Sequence, residues 1–269
     1  MPTTYAHYKF GLQVAERLPE DIRSIIEEYP ELFYIGVHGP DILFYYNPLK
    51  SNDVVKLGNV IHAEPGLNFF TDSIKPMKKS KLNDKDLAYM YGFLCHYALD
   101  RACHGFIDDE VERTGISHTE IEAELDALML TRDGFDATKR KVTGHIHPSK
   151  SNARVISKYF KGVSAFQVDV ALRTWVVALD FMVTTCKAKR FAINTAFKLS
   201  GQYDFMHGLL MNLKPNKKCR PTVDRILELY DTAIPEAVEF IEDYIPVVQG
   251  EKDFSSLFDY SFDGRPSEK

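Results

Sequence analysis

Apolar residues recur three and four positions apart along most of this chain, and alternating β-branched runs are few, so the pattern predicts helices. Residues 5–18 and 20–28 read as short helices. Two glycines and two prolines in YIGVHGPDILFYYNPLK mark a loop, and VVKLGNVIHAEPGLNFFTDSI reads as an amphipathic stretch interrupted at Pro65. A long helix is expected from about 85 to 112, capped by Asp84. Ser117 and Glu120 have the spacing of a capping box, opening a helix through EIEAELDALML that stops before Asp133 and Gly134. After a polar stretch at 133–150, residues 151–200 supply one or two long apolar helices, and 221–248 a pair divided at Pro235. The expected fold is all-α: one multi-helix domain over 1–250, with a ligand-bearing half at 1–130 and a helical buttress at 151–250. Residues 251–269 mix aromatics and acids without helical period and read as a loosely packed tail.

At 269 residues the chain can bury a substantial core. Its 45% hydrophobic and 26% charged composition is that of an ordinary globular protein, and a net charge of -5 argues against a general polyanion binder. Nucleic acid is therefore expected only as a substrate, with no stable binding. No run approaches the ~20 apolar residues needed to span a bilayer, and MPTTYAHYKF lacks the apolar core of a signal peptide, so a cytoplasmic location is expected. Cys95, Cys103, Cys186 and Cys219 form no CxxC pair and read as buried free thiols.

The chemistry-bearing residues crowd into the first half: His7, Asp41, His62, His96, Asp100, His104, His118 and Glu122. In CHYALDRACHGF, His96, Asp100 and His104 are successive four-residue steps, each ~6 Å along a helix and ~40° around it. His96 and Asp100 can share one ion, while His104, ~12 Å of rise from His96, reaches a neighbouring one. His118 and Glu122 in SHTEIE repeat the four-residue spacing, and with His104 they make a His2Glu set, a familiar zinc combination that leaves a position open for water. Asp41, His62, His96 and Asp100 make a second set. The structural alternative is that Asp100 is buried in an ion pair with Arg101 or Arg113.

In the order His, Asp, His, HxxxD, His, HxxxE, these residues resemble the zinc-dependent phospholipase C family and the related zinc nucleases that cleave single strands. The resemblance covers roughly residues 1 to 125, with HYALD matching the HxxxD motif and HTEIE the HxxxE motif. It implies an all-α fold and a cluster of zinc ions, two or three, that hydrolyses a small phosphoester or a phospholipid head group. Asp41, His62, His96 and Asp100 would then hold one ion, and His104, His118 and Glu122 a second. Asp100 would bridge to a third, on which His7 sits. Asp41 would be the general base beside the attacking water. The same ligand types also take iron or manganese.

The family's secreted members complete the third site with the amine and carbonyl of an N-terminal tryptophan. Here Trp175 is the only tryptophan, and loss of Met1 would leave the amine of Pro2 close to His7 in sequence. The third site is then weak, completed by His38, or empty. His145 and His147, two apart in GHIHPSK, read as exposed loop histidines or as supports behind the ligands. Tyr45, between Phe44 and Tyr46, either walls a substrate pocket or packs its loop, and Lys150 and Arg154 are candidate phosphate contacts. Two other readings remain beside the hydrolase: a nuclease-like phosphodiesterase, and a noncatalytic helical protein braced by its metals. Oligomeric state has no signature in the sequence.

Overall fold

The computed structural model describes residues 4–48, 50–201 and 203–266. Among these residues there are twelve α-helices, short 3-10 turns and no strand. The helices are α1 (Thr4–Ala15), α2 (Glu20–Glu28), α3 (Pro30–Gly36), α4 (Asp53–Ala63), α5 (Gly66–Lys79), α6 (Asp84–Thr114), α7 (His118–Arg132), α8 (Lys150–Ile156), α9 (Ala165–Met182), α10 (Lys187–Leu199), α11 (Tyr203–Met206) and α12 (Arg220–Gln249). The all-α expectation holds. No helix of the described residues is long and apolar enough to cross a membrane.

The chain divides into two compact units woven from separate segments. The larger takes His7–Gly105, His145–Trp175 and Tyr230–Lys269, and the smaller takes Met1–Ala6, Phe106–Gly144 and Val176–Leu229. Residues 145–175 thus fold with the ligand-rich stretch 7–105.

The larger unit is built on α6, in which every residue from Asp86 to Asp100 is buried. A helix buried all round lies inside a core, and aromatic rings surround this one. Phe69 stacks on Phe93 at 4.2 Å, and Phe70 meets Tyr97 edge-on at 5.4 Å. Asn83, not Asp84, caps α6, accepting from the Asp86 backbone N–H at 3.1 Å. On the far side, α3 crosses α6 at glycines: a Cβ on Gly36 would strike the Tyr89 carbonyl, and one on Gly92 the Phe33 carbonyl. This close approach needs both glycines, and it sets the loop after α3 beside His96.

Three expectations are corrected. Residues 34–50 are not all loop: Pro30 opens α3, where its missing N–H is harmless, and Gly39–Tyr45 form a 3-10 turn. The C-terminal helix is not divided at Pro235 but runs from Arg220 to Gln249, because its buried stripe continues through Ala233, Ile234, Ala237, Phe240 and Ile241. Nor is the tail loose, since Ser256–Asp259 forms a 3-10 turn and Phe258 and Phe262 are buried. Tyr97 Oη donates to the Leu257 and Tyr260 carbonyls at 2.7 and 2.8 Å, and the Gly66 N–H donates to the Tyr260 carbonyl at 2.9 Å. Cys95, Cys103 and Cys219 are buried as expected, whereas Cys186 is exposed.

In the smaller unit, Ser117 caps α7 as its spacing predicts, accepting from the Glu120 N–H at 3.4 Å. Asp126, fully buried on α7, accepts from the Tyr5 and Ala6 N–H groups at 3.0 and 2.8 Å, so it satisfies donors that the first turn of α1 cannot.

Candidate metal centre

Two aspartates lie buried on α6, and their surroundings differ. Asp86 is matched by conventional partners: Lys158 Nζ at 2.7 Å, Tyr159 Oη at 2.6 Å and Asn83 Nδ2 at 2.7 Å. Asp100 is met by imidazoles. His96 Nε2 is 3.1 Å from its Oδ2, His104 Nδ1 3.7 Å and His62 Nε2 3.8 Å, while His7 Nε2 is 3.2 Å from its Oδ1. The arginine alternative fails, since Arg101 pairs with Glu236 and Arg113 with Glu110.

Different elements aim these side chains at one place. α1 supplies His7, the 3-10 turn Asp41, α4 His62, and α6 both His96 and Asp100 one turn apart. The Asn52 side chain caps α4, accepting from the Val54 and Val55 N–H groups. His62 Nδ1 lies 2.7 Å from the Gly58 carbonyl, which accepts its proton and leaves the Nε2 lone pair free for an ion. That Nε2 is 3.1 Å from Asp41 Oδ1. Ligand atoms of Asp41, His62 and His96 lie within 4.8 Å of one another, as do those of His7, His96 and Asp100.

These atoms converge without bonding one another. Asp41 Oδ1, His62 Nε2, His96 Nε2 and Asp100 Oδ2 are buried, yet none makes a hydrogen bond among the described residues. Ligands at ~2.0–2.1 Å around a tetrahedral zinc stand about 3.3 Å apart; the pairs Asp41–His62 and His96–Asp100, each at 3.1 Å, are close to that, and His62–Asp100 is wider at 3.8 Å. Burial alone would penalise the Asp100 charge, and the imidazoles around it offset that cost, an arrangement that a cation can join.

Protonation differs among the groups: burial lowers the pKa of His62, but the Asp41 and Asp100 carboxylates outweigh it and raise it. Burial raises the pKa of Asp100, but His104, His96 and His7 outweigh it and hold the carboxylate well below its ordinary range. Burial lowers His96 despite Asp100 beside it. An ionised carboxylate and a neutral imidazole are the forms a metal takes. In the smaller unit, burial opposes protonation of His118, but Glu122 and Asp108 raise its pKa to about 10. Its Nε2 lies 3.3 Å from Glu122 Oε1 and its Nδ1 3.3 Å from Asp108 Oδ1, so the HxxxE pair shares one face of α7 as its spacing predicts.

The supporting residues sort differently. His145 is not an exposed loop residue: it is buried, and its Nε2 lies 2.7 Å from His38 Nε2, one nitrogen donating to the other. Burial first, and then the neighbouring histidines, lowers both, His145 to about 3. Trp175 packs edge-on against His38 at 4.6 Å, and Tyr45 stacks on Trp175 at 5.0 Å, so Tyr45 packs its turn. His147 and Lys150 are exposed and belong to none of these contacts. The amine of Pro2 lies outside the described residues. Sequence reasoning missed Phe262, which packs on His62 at 5.6 Å and His96 at 5.9 Å, and Asp126, legible as one more four-residue step beyond Glu122.

Gly39 bears directly on the site. Its φ is +47°, and a Cβ there would enter the His96 imidazole. Gly39→Ala is expected to displace His96 and to lower zinc affinity by about tenfold or more, the scale seen when ligand orientation is lost. Competition with a chromogenic chelator measures it, and wild-type affinity would show that His96 tolerates the intrusion.

No curated protein and no solved structure matches this chain. A family model described as zinc dependent phospholipase C matches residues 6–169, well over half the chain and further than the 125 residues on which the likeness rests in sequence. The match spans His7 to Glu122 and continues through His145, and on it the chain belongs to the zinc-dependent phospholipase C family.

Proposed function

We propose that this protein is a phospholipase C-like hydrolase of phosphate esters, working through two or three zinc ions on a small phosphoester or a phospholipid head group. The observation that carries the reading is the convergence of Asp41, His62, His96 and Asp100, whose buried ligand atoms lie 3.1–3.8 Å apart in the pairs Asp41–His62, His96–Asp100 and His62–Asp100. His7 belongs on the far side of Asp100, at Oδ1. His118 and Glu122 belong to the second ion of the family pattern. Zinc in such a set polarises a phosphoryl oxygen and lowers the pKa of water.

The chain's own groups do the rest. Asp41 is the general base, taking the proton of the attacking water on its carboxylate. His62 is held in one tautomer by the Gly58 carbonyl, so its orientation does not drift as charge moves. Phe44, stacked on His62 at 5.4 Å, and Phe262 on its other side form an apolar wall that keeps bulk water from the ligands.

Asp41→Asn tests the base. It is expected to retain bound zinc through His62, His96 and Asp100, and to lose about 10²–10⁴-fold in turnover, the usual worth of a general base. The readouts are elemental analysis by plasma mass spectrometry and a phosphodiester assay. Full activity with zinc intact would remove the role. Absence of stoichiometric zinc in wild-type protein after reconstitution would remove the hydrolase reading altogether.

A further inference from the structure

The smaller unit carries a surface that the hydrolytic site does not use. Helix α10, KAKRFAINTAFKL, buries one narrow face: Ile193 and Phe197 pack with Leu210, and Met182, Tyr203 and Met206 close around them. On a helical projection the opposite face is centred near Thr195 and holds Phe191 and Leu199, with Lys187 and Lys198 along one edge. Phe191 is 74% exposed and Leu199 85%. At the end of α9, Val177 is 68% exposed and Phe181 54% exposed, one turn apart. Lys189 Nζ sits over the Phe181 ring at 4.2 Å and joins the two helices.

Four apolar side chains standing this far out of a folded unit need an occupant. The charges around them say which kind. From Val177 to Gly201 the one acid is Asp180, which pairs with Lys141 and accepts from the Thr143 hydroxyl, while Lys187, Lys189, Arg190 and Lys198 give four cations in a chain whose net charge is -5. Arg190 is turned inward, donating to the Thr184 and Met211 carbonyls, while Lys187 is exposed, Lys189 is half-buried over Phe181, and Lys198 is exposed with its Nζ 5.2 Å over the Tyr203 ring. Phenylalanine and leucine flanked by lysine, on a helix whose other face is anchored to the fold, is the pattern of a helix lying in the interface of an anionic bilayer.

We propose that α10 and the end of α9 dock this protein on an anionic lipid surface, with Phe191, Leu199, Val177 and Phe181 entering the acyl boundary and Lys187, Lys189 and Lys198 meeting lipid phosphates. The inference stands apart from the proposed hydrolysis, since it requires neither zinc nor turnover.

The test is cosedimentation of the purified full chain with sucrose-loaded vesicles, either of phosphatidylcholine alone or of phosphatidylcholine mixed with phosphatidylserine. Binding is expected only to the mixed vesicles, and it should weaken as salt is raised. The double variant F191S/L199S should lose at least about tenfold in partitioning, and K187Q/K198Q about tenfold or more, since each cation near such a surface is worth about fivefold. Circular dichroism and thermal unfolding should show that both variants keep the fold, since the substituted side chains are exposed. Three results would each overturn the proposal: no binding of the wild type to mixed vesicles, binding unchanged in both variants, or a dimer on gel filtration that F191S/L199S dissolves. The last would assign the face to a second copy of the chain.

Discussion

Asp100→Asn is expected to empty the metal centre of at least one zinc equivalent and to abolish hydrolysis. Asp100 is the carboxylate towards which His7, His62, His96 and His104 all turn, at 3.1–3.8 Å. Asparagine keeps its shape but removes the charge and one of the two acceptors, so zinc affinity should fall by more than about 100-fold, the upper end for residues that only support ligands. Turnover should fall by about 10³-fold or more, the scale of losing one group that stabilises transition-state charge. The zinc-free protein should also be affected: there the surrounding histidines hold Asp100 ionised well below its ordinary range, so its charge contributes stability at neutral pH and the substitution should lower Tm. Thermal unfolding with and without a chelator, beside elemental analysis, separates the effects: the wild type gains Tm on zinc loading and the variant does not. Wild-type zinc content in D100N would show that the ion sits elsewhere.

Phe262→Ala is expected to cost about 3–5 kcal/mol, the usual price of deleting a fully buried phenylalanine. For a chain of this size that is roughly a 10 °C drop in Tm. The ring stands between Tyr97 at 4.8 Å, Phe93 at 6.2 Å and the imidazoles of His62 and His96, so its loss opens a cavity against the ligands themselves. Zinc should therefore pass to a competing chelator faster than in the wild type, even below the unfolding temperature. Unchanged Tm and unchanged zinc exchange would mean that the tail is only decoration on the core. Removing residues after Gly250 takes Phe258 with Phe262 and should exceed the point substitution in both respects.

The contrast between α6 and this tail explains what was legible in the sequence. His96, Asp100 and the pair His118 and Glu122 were readable because helical spacing places ligands by local rules alone. Asp41 and His62 were grouped with them by ligand type, without a helical spacing to place them, and the structure brings them together through Gly39 and Gly36, whose close contacts no periodicity announces. The tail was misread because its aromatic residues follow no helical repeat. Its order comes from partners far away, chiefly the Tyr97 hydroxyl, which holds the Leu257 and Tyr260 carbonyls. His145 was hidden for a similar reason: it sits in a polar stretch, and its burial depends on stacking with Tyr8 at 4.1 Å and on a hydrogen bond with His38. Pro235 reads locally as a helix break, but the buried stripe on either side overrides it.

The helix that carries His96, Asp100 and His104 behaves like a reading frame. Each side chain can be exchanged singly, with a graded loss, but a residue inserted between His96 and Asp100 would turn everything downstream by about 100° and advance it about 1.5 Å. Asp100 and His104 would then face apolar core while hydrophobic neighbours faced the ion. Loops elsewhere in the chain can lengthen without such a penalty. The spacing along α6 is therefore a constraint separate from residue identity, and a chain that keeps every ligand but shifts this register would lose the centre as surely as one that lost Asp100.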